Sequence, residues 1–543
     1  MIPLEQMTPE QKLGRVLCAR KLSDKDNVDF TLELVKRGAC GAIQMPFNEN
    51  TKDLIKLFRK AADYPLLIIN DMETKFPLSK LPPVPLMTLA ATGNVEYIRA
   101  FAASIAKEAK EYGYSGVWSP VVDLQTGNGP CSVGRKLSDD PMVTAEFAKE
   151  MLRVFDSYAF HGTAKHYPGS SGLRRKGFGM DGHMVEVTCR NTEEELLNGA
   201  LIPYFELMKE GLLPAIMVGH HVLPKIDSLP ASLSKKVIDI IRRQGFDGVC
   251  YTDSLAMMAI LQKYGEQRAM EMAIMAGNDI ILPNYRTKTK DVYEMVLASY
   301  REGRITDERL DEAVRRVMKL EEYCAREPVS PYPVPENIEE VMDNIARDCI
   351  TADCHEGVSP AIDTQKSRLF VVVVDQEEKI EDGTPEISMN GWYSSERVCR
   401  AIAERFPNAR IERIHEFPTA RDNDRLLTIA TEYDEVVFST YCTTSAYLGT
   451  DGLTRRLESV IAALAIPEKI SAIVHFGNPL ALETVPAIEN VPRIIYGYKS
   501  PYSQNYAFDV LAGKIEAKGR FPFPSLYSTK RTKDCDTVFE REC

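Results

Sequence analysis

The chain has 543 residues, 44% of them hydrophobic and 27% charged, with a formal net charge of −12. That length suits two to four domains of ~100–200 residues, or one large barrel with a smaller partner, and needs no disulfide staples to bury a core. The acidic balance argues against nucleic-acid binding, which needs a clustered basic surface, and no run of ~18 apolar residues offers a membrane span.

The N-terminal stretch MIPLEQMTPEQKLGRVLCARKLSDKD is charged throughout and lacks the apolar core and cleavage site of a secretory signal. Over about the first 325 residues, short apolar runs then alternate with longer amphipathic ones. Strands are expected at Ala39–Met45, Leu66–Asn70, Gly116–Asp123, Gly162–Tyr167, Ala215–His220, Gly248–Asp253 and Asn278–Pro283. Each is nearly continuous in apolar character, which suits parallel strands covered on both faces. Between them, Val95–Tyr112 and Met142–Tyr158 carry apolar residues at helical spacing. Repeated units of this kind fit a (β/α) barrel or a doubly wound sheet. Asp71, Lys165, His166, His220 and Asp253 fall at the ends of these strands, the face on which a barrel gathers its chemistry.

Arg326–Pro335 reads REPVSPYPVP, with four prolines in ten residues, and is expected to be a stiff extended linker. Beyond it come a helix near Asn337–Ile350 and strands at Ser367–Asp375, Glu435–Cys442, Ile470–Gly477 and Arg493–Tyr498. The expected division is a (β/α) barrel over 1–327, a proline-rich linker over 328–340, and a three-layer α/β/α sandwich over 341–543. The 12 cysteines are scattered and form no CxxC pair, so they read as thiols of a reducing, cytoplasmic compartment. No structural metal or cofactor is expected.

Three segments invite chemistry. In AKHYPGSSG, Lys165 and His166 close a strand, where Lys165 is either a donor to ligand hydroxyls or a buried ammonium paired with a carboxylate. In DGH, Asp181 can hold one ring nitrogen of His183 and leave the other for proton transfer, or the three residues simply form a turn. In GFDGVCYTDSLAM, Asp253 is a nucleophile, general base, metal ligand or helix cap. A carboxylate at a strand end with a proton donor on a loop is the pairing that glycosidic cleavage requires. No phosphate-cradling GxxxxGK[ST] or GxGxxG loop, GxSxG elbow or HExxH is present.

Longer segments carry a resemblance. MTPEQKLGRVLC, VWSPVVDLQ with GRKLSDDP, AKHYPG, PAIMVGHHVLP, GFDGVCYTDSLAM, HFGNPLAL and VPRIIYGYKSPYSQNYAFDVLAGKIEAKGRFPF are similar, in order, to segments of glycoside hydrolase family 3, within its β-N-acetylglucosaminidase branch. The resemblance implies a barrel followed by a sandwich, acting on a GlcNAc-terminated carbohydrate, with no nucleic-acid or membrane partner. It implies that Asp253 is the nucleophile of a retaining, exo-acting enzyme, His183 the general acid/base, and Asp181 the residue that orients His183. Asp71, Arg135, Lys165, His166 and His220 take the positions that bind the sugar. A histidine acid carries no negative charge after giving up its proton, so it does not repel the aspartate, and its unperturbed pKa of ~6.5 lies near neutral pH.

The sequence also departs from the family pattern. DMETKFPLS replaces D-Q-E-G-G-R-V-x-R, placing Ser79 where a sugar-binding arginine is expected, and PGSSG replaces PGHG-D. The loop from His166 to Asp181 carries the basic triplet Arg174, Arg175 and Lys176, which reads either as a site for an acidic or bulky aglycone or as a solvated surface. A β-glucosidase or β-glycoside phosphorylase of the same family remains an alternative. So does a carbohydrate-binding protein with a decayed site.

Overall fold

A computed structural model of the chain describes residues 2–20, 22–124, 134–169, 173–174, 181–374, 377–379, 385–387, 392–443, 446–447 and 452–527. It is an α/β protein of mostly parallel sheets with a TIM-like N-terminal part, and no described helix is long and apolar enough to cross a membrane. Two compact units emerge: Met1–Lys80, Ile98–Thr126 and Asp140–Glu336 in the first, and Leu81–Tyr97, Gly127–Asp139 and Asn337–Cys543 in the second. Leu81–Tyr97 and residues 134–139 fall inside the stretch expected to form the barrel, yet they pack with the second unit. The cause is local. All of helix Leu86–Ala91 is buried, and its Met87 and Ala91 join the second unit's core.

In the first unit, eight strand positions follow one another in chain order. They are β1 Cys18–Ala19, β2 Ala42–Gln44, β3 Leu67–Asn70, β4 Gly116–Val117, β5 His161–Gly162 continuing as Ala164–Tyr167, β6 Ala215–Val218, β7 Val249–Ser254 and β8 Ile280–Leu282. All neighbours pair in parallel, and a bridge from Leu17 to Ile281 returns β8 to β1. A ring closed in this way has no exposed edge, and its inward side chains fill it. Cys18, Ala42, Leu67, Trp118, Met217, Tyr251 and Ile280 belong to that filling. Burial of each of the larger of these side chains contributes ~1.5–3 kcal/mol, which adds to the strand ladders in holding the ring together.

Helices between the strands start where the sequence supplies caps. Asp140 accepts from the Met142 and Val143 amides ahead of Pro141–Ser157, and Ser234 accepts from Val237 ahead of Lys235–Arg243. At the amino end of β8, buried Asp279 takes Arg242, Arg309 and Arg316, a charge cluster at the opposite end of the strand from Pro283. The proline-rich stretch is irregular and tied to the first unit, with Val329 N–H donating to the Ser157 carbonyl at 3.1 Å.

The second unit holds β9 Thr351–Cys354, β10 Arg368–Val373, β11 Ala409–Ile414, β12 Val436–Cys442, β13 Ile470–Gly477 and β14 Arg493–Tyr498. They lie in the order β9-β14-β13-β12-β10-β11, with only β9 antiparallel to its neighbour. The five parallel strands therefore follow a doubly wound order. Helix Ser395–Arg405 packs with Ser503–Leu511, and Ala420–Ala430 with Arg455–Ala465. No disulfide joins the described cysteines.

Gly116 sets the spacing between β3 and β5, because a Cβ there would lie 2.1 Å from the buried His161 ring. Gly116→Ala should destabilise the protein by about 1–3 kcal/mol, the cost of overpacking a dense core. A guanidinium unfolding midpoint equal to that of wild type would refute this spacing argument.

Candidate active site

The site is built outward from β7. Its first four residues are buried, and Asp253 and Ser254 are the first to emerge at the carboxyl end. Ser254 is held from three directions. Its N–H donates to Asp253 Oδ1 at 2.7 Å, its Oγ accepts from Arg20 at 2.8 Å, and its carbonyl accepts from His220 Nε2 at 3.0 Å. His220 Nδ1 in turn lies 2.7 Å from the Ser232 hydroxyl. Both ring nitrogens of this buried histidine are thus engaged within the protein. The sequence expects His220 to contact the sugar; in the structure its ring supports the Ser254 carbonyl beside Asp253.

Arg20 belongs to the same support. From the end of β1 it also donates to the Pro283 carbonyl at 2.7 Å and to Gln44. Gln44 continues to Asn70 at 3.0 Å, and Asn70 accepts the Asp71 N–H at 2.8 Å. A line of hydrogen bonds therefore joins the ends of β1, β2, β3, β7 and β8.

Lys165 is 2% exposed, so its ammonium needs compensating charge. It lies 2.7 Å from Asp71 Oδ1 and 2.5 Å from Glu73 Oε1. Asp71 itself is 55% exposed, which places a held carboxylate where a ligand can reach it. His166 directs Nδ1 to Asp123 Oδ2 at 2.8 Å, and its Nε2 is 3.9 Å from Asp253 Oδ2. A proton shared with Asp123 fixes the ring so that the opposite nitrogen faces Asp253.

Asp181 and His183 arrive on the chain segment between two short antiparallel strands, Leu173–Arg174 and Thr188–Cys189. The Asp181 carboxylate is fully buried and takes both His183 Nδ1 at 2.8 Å and the His183 amide at 2.9 Å. An Nδ1–H donated to Asp181 leaves Nε2 as the proton-transfer position. The His183 carbonyl accepts from Met258 N–H at 2.9 Å, which ties the dyad to the segment following β7.

Burial works to raise the Asp253 carboxyl, but attraction from His166, His220 and His183, together with the Ser254 N–H, outweighs it and holds Asp253 well below the ordinary carboxylate range. Burial pushes His220 below the usual imidazole value, against the opposing pull of Asp253. A carboxylate that stays ionised beside fixed imidazoles suits a nucleophile.

The structure thus brings Asp71, Lys165, His166, His220 and Asp253 to the carboxyl ends of the strands, with Asp181 and His183 tethered to β7. Arg135 lies in Gly127–Asp139 and belongs to the second unit. Ser79, at the position of the missing arginine, donates to Glu108 at 2.8 Å. Of the basic triplet, the backbone of Arg174 is described, while Arg175 and Lys176 lie outside the described residues. Sequence reasoning missed Glu73, Asp123 and Arg20. Asp123 closes an apolar run and Glu73 lies two residues past Asp71, so position offered a hint for both, whereas Arg20 follows a two-residue strand that reads as the end of a helix.

A model of the glycosyl hydrolase family 3 N-terminal domain matches residues 12–320. The chain is 26% identical over 335 residues to a β-N-acetylglucosaminidase/β-glucosidase of Cellulomonas fimi, a match covering 58% of each protein. It is 26% identical over 264 residues to a β-hexosaminidase of Tolumonas auensis, covering 46% of this chain and 77% of that one. Among solved structures, a family 3 β-N-acetylglucosaminidase from Paenibacillus sp. superposes with a TM-score of 0.76 at 24% identity, covering 96% of this chain and 100% of the other. A β-glucoside phosphorylase superposes with a TM-score of 0.77 at 20% identity, covering 96% and 95%. At these identities, the structural likenesses concern the fold.

His166→Ala removes one of the imidazoles that offset the burial of Asp253. The Asp253 carboxyl should then titrate at a higher pH than in wild type, where it stays ionised through the ordinary value of 3.8. A carbon-13 NMR titration reads this directly. Identical midpoints in the two proteins would show that His166 contributes nothing to the charge of Asp253.

Proposed function

The chain belongs to glycosyl hydrolase family 3, and we propose that it is an exo-acting, retaining β-N-acetylglucosaminidase that releases terminal β-linked GlcNAc. The observation that carries the proposal is the Asp181–His183 pair, hydrogen-bonded at 2.8 Å and tied through Met258 to the strand that ends in Asp253. Relatives named β-hexosaminidase support the choice of sugar.

In this reading, an Asp253 carboxylate oxygen attacks the anomeric carbon, while His183 Nε2 gives its proton to the departing glycosidic oxygen. Asp181 stabilises the imidazole in the required tautomer. Water then enters on the face left by the aglycone, gives a proton to His183, and releases the sugar from Asp253 with the original anomeric configuration. Asp71, held by Lys165, and His166, held by Asp123, supply polar groups for the sugar hydroxyls. The intact dyad and ionised nucleophile position count against a decayed binding protein.

One feature favours a second reading, a β-glucosidase or β-glycoside phosphorylase. A histidine that has given up its proton is neutral and does not repel a phosphate acceptor, and one neighbour in fold is a β-glucoside phosphorylase. Release of p-nitrophenol from the GlcNAc and glucose substrates, with and without phosphate, separates the three activities. The proposal expects a preference for GlcNAc and no phosphate dependence.

His183→Ala should lower kcat/KM by ~10²–10⁴-fold on substrates with poor leaving groups and far less on a 2,4-dinitrophenyl glycoside, which needs no protonation. Equal losses on both would remove His183 from the role of acid.

A further inference from the structure

The parallel strands β12, β13 and β14 end side by side, and a partly enclosed pocket lies at those carboxyl ends, where doubly wound sheets place their ligands. Cys442, Gly477 and Tyr498, the last residues of the three strands, line it together with Thr88 and Lys499. All of these residues belong to the second unit. The backbone around the pocket is tightly specified. Gly477 takes φ +87, and a Cβ there would lie 2.0 Å from the Cys442 carbonyl oxygen. Tyr498 takes φ +48 while its hydroxyl shares a 2.9 Å hydrogen bond with Thr351. That conformation costs a non-glycine residue energy, and it sets the direction of Lys499, the next residue in the chain.

Among the described residues, two polar groups of the pocket have no hydrogen-bond or ion-pair partner. Thr88 is 1% exposed, and its hydroxyl makes no hydrogen bond to any described residue. The Lys499 ammonium lies 5.8 Å from the Trp392 ring centroid, and no carboxylate among the described residues pairs with it. Burial pushes Lys499 down to about 8, with no acidic neighbour opposing the shift. The clear space holds one water-sized group. A water would satisfy Thr88 but leave a desolvated positive charge uncompensated, which is the costlier defect. A monatomic anion in this pocket, unlike water, would accept from the hydroxyl and also neutralise the charge.

We propose that this pocket binds a chloride-sized anion, seated between the Lys499 ammonium and the Thr88 hydroxyl. The site is independent of the glycosidase reading, since none of its residues belongs to the catalytic unit.

The test compares thermal unfolding of the full chain in sodium chloride, acetate and gluconate at equal ionic strength. Wild type should gain a saturable rise in Tm of about 2 °C or more in chloride over gluconate. Lys499→Met should abolish the rise, and Thr88→Val should weaken it. Equal Tm in chloride and gluconate would overturn the proposal. A rise in acetate as large as in chloride, with the same dependence on Lys499, would assign the site to carboxylates and overturn the halide assignment. Should Lys499→Met fail to fold, crystals of wild type soaked in bromide decide the matter. An anomalous peak between Lys499 and Thr88 is expected, and a map with bromide elsewhere but none here would contradict it.

Discussion

A carboxylate withdrawn from most of its water stays ionised where charges and N–H donors stand around it, and the arrangement around Asp253 meets that requirement. Burial alone works against the charged form of this residue. Three imidazoles and the Ser254 amide reverse the balance. Each of them needs a holder of its own. Asp123 fixes His166, Ser232 fixes His220, Asp181 fixes His183, and Arg20 with His220 fixes Ser254. The site is therefore a set of nested constraints in which few side chains are left to choose their own rotamer, as preorganised electrostatic catalysis demands.

The closed parallel ring makes this nesting possible. Residues far apart in the chain meet because every strand points its carboxyl end the same way. Lys165 meets Asp71 across 94 residues, and Arg20 meets Ser254 across 234. At the other end of β8, the cluster of Asp279 with Arg242, Arg309 and Arg316 carries charge that the chemistry does not use. The two ends of the ring thus divide stability from function.

Much of this frame was legible in the sequence. Val95–Tyr112, Ile470–Gly477 and Arg493–Tyr498 could be read to the residue, because continuous apolar runs and strong helical periodicity leave little choice. The missed strands have two causes. Cys18–Ala19 is two residues long and continues a helical pattern, while Thr351–Cys354 and Ala409–Ile414 lie at the sheet's edges with partly exposed, alternating or charged residues. The packing of Leu81–Tyr97 with the second unit was invisible, since apolar residues in a helix do not state which core they join. At the site, the candidate reactive residues could be named from motifs. Their supports could not, because Asp123, Glu73 and Arg20 acquire meaning only from partners brought to them by the fold. His220 shows a further limit of the motif: the sequence did not reveal that its ring nitrogens meet Ser232 and the Ser254 carbonyl.

The acidic chain sets the scale of what local charge has to do. With a net charge of −12, long-range steering offers an anionic ligand little, so recognition of negative groups falls to individual sites such as the Lys499 pocket. The central claim is narrower: Asp253 is the residue that takes up the sugar. The most direct measurement is peptide mass spectrometry of the protein after reaction with a slow, fluorinated GlcNAc donor. The account predicts one glycosyl adduct on the peptide containing Asp253, absent in Asp253→Ala. An adduct on another residue, or turnover with inverted configuration and no adduct, would contradict it.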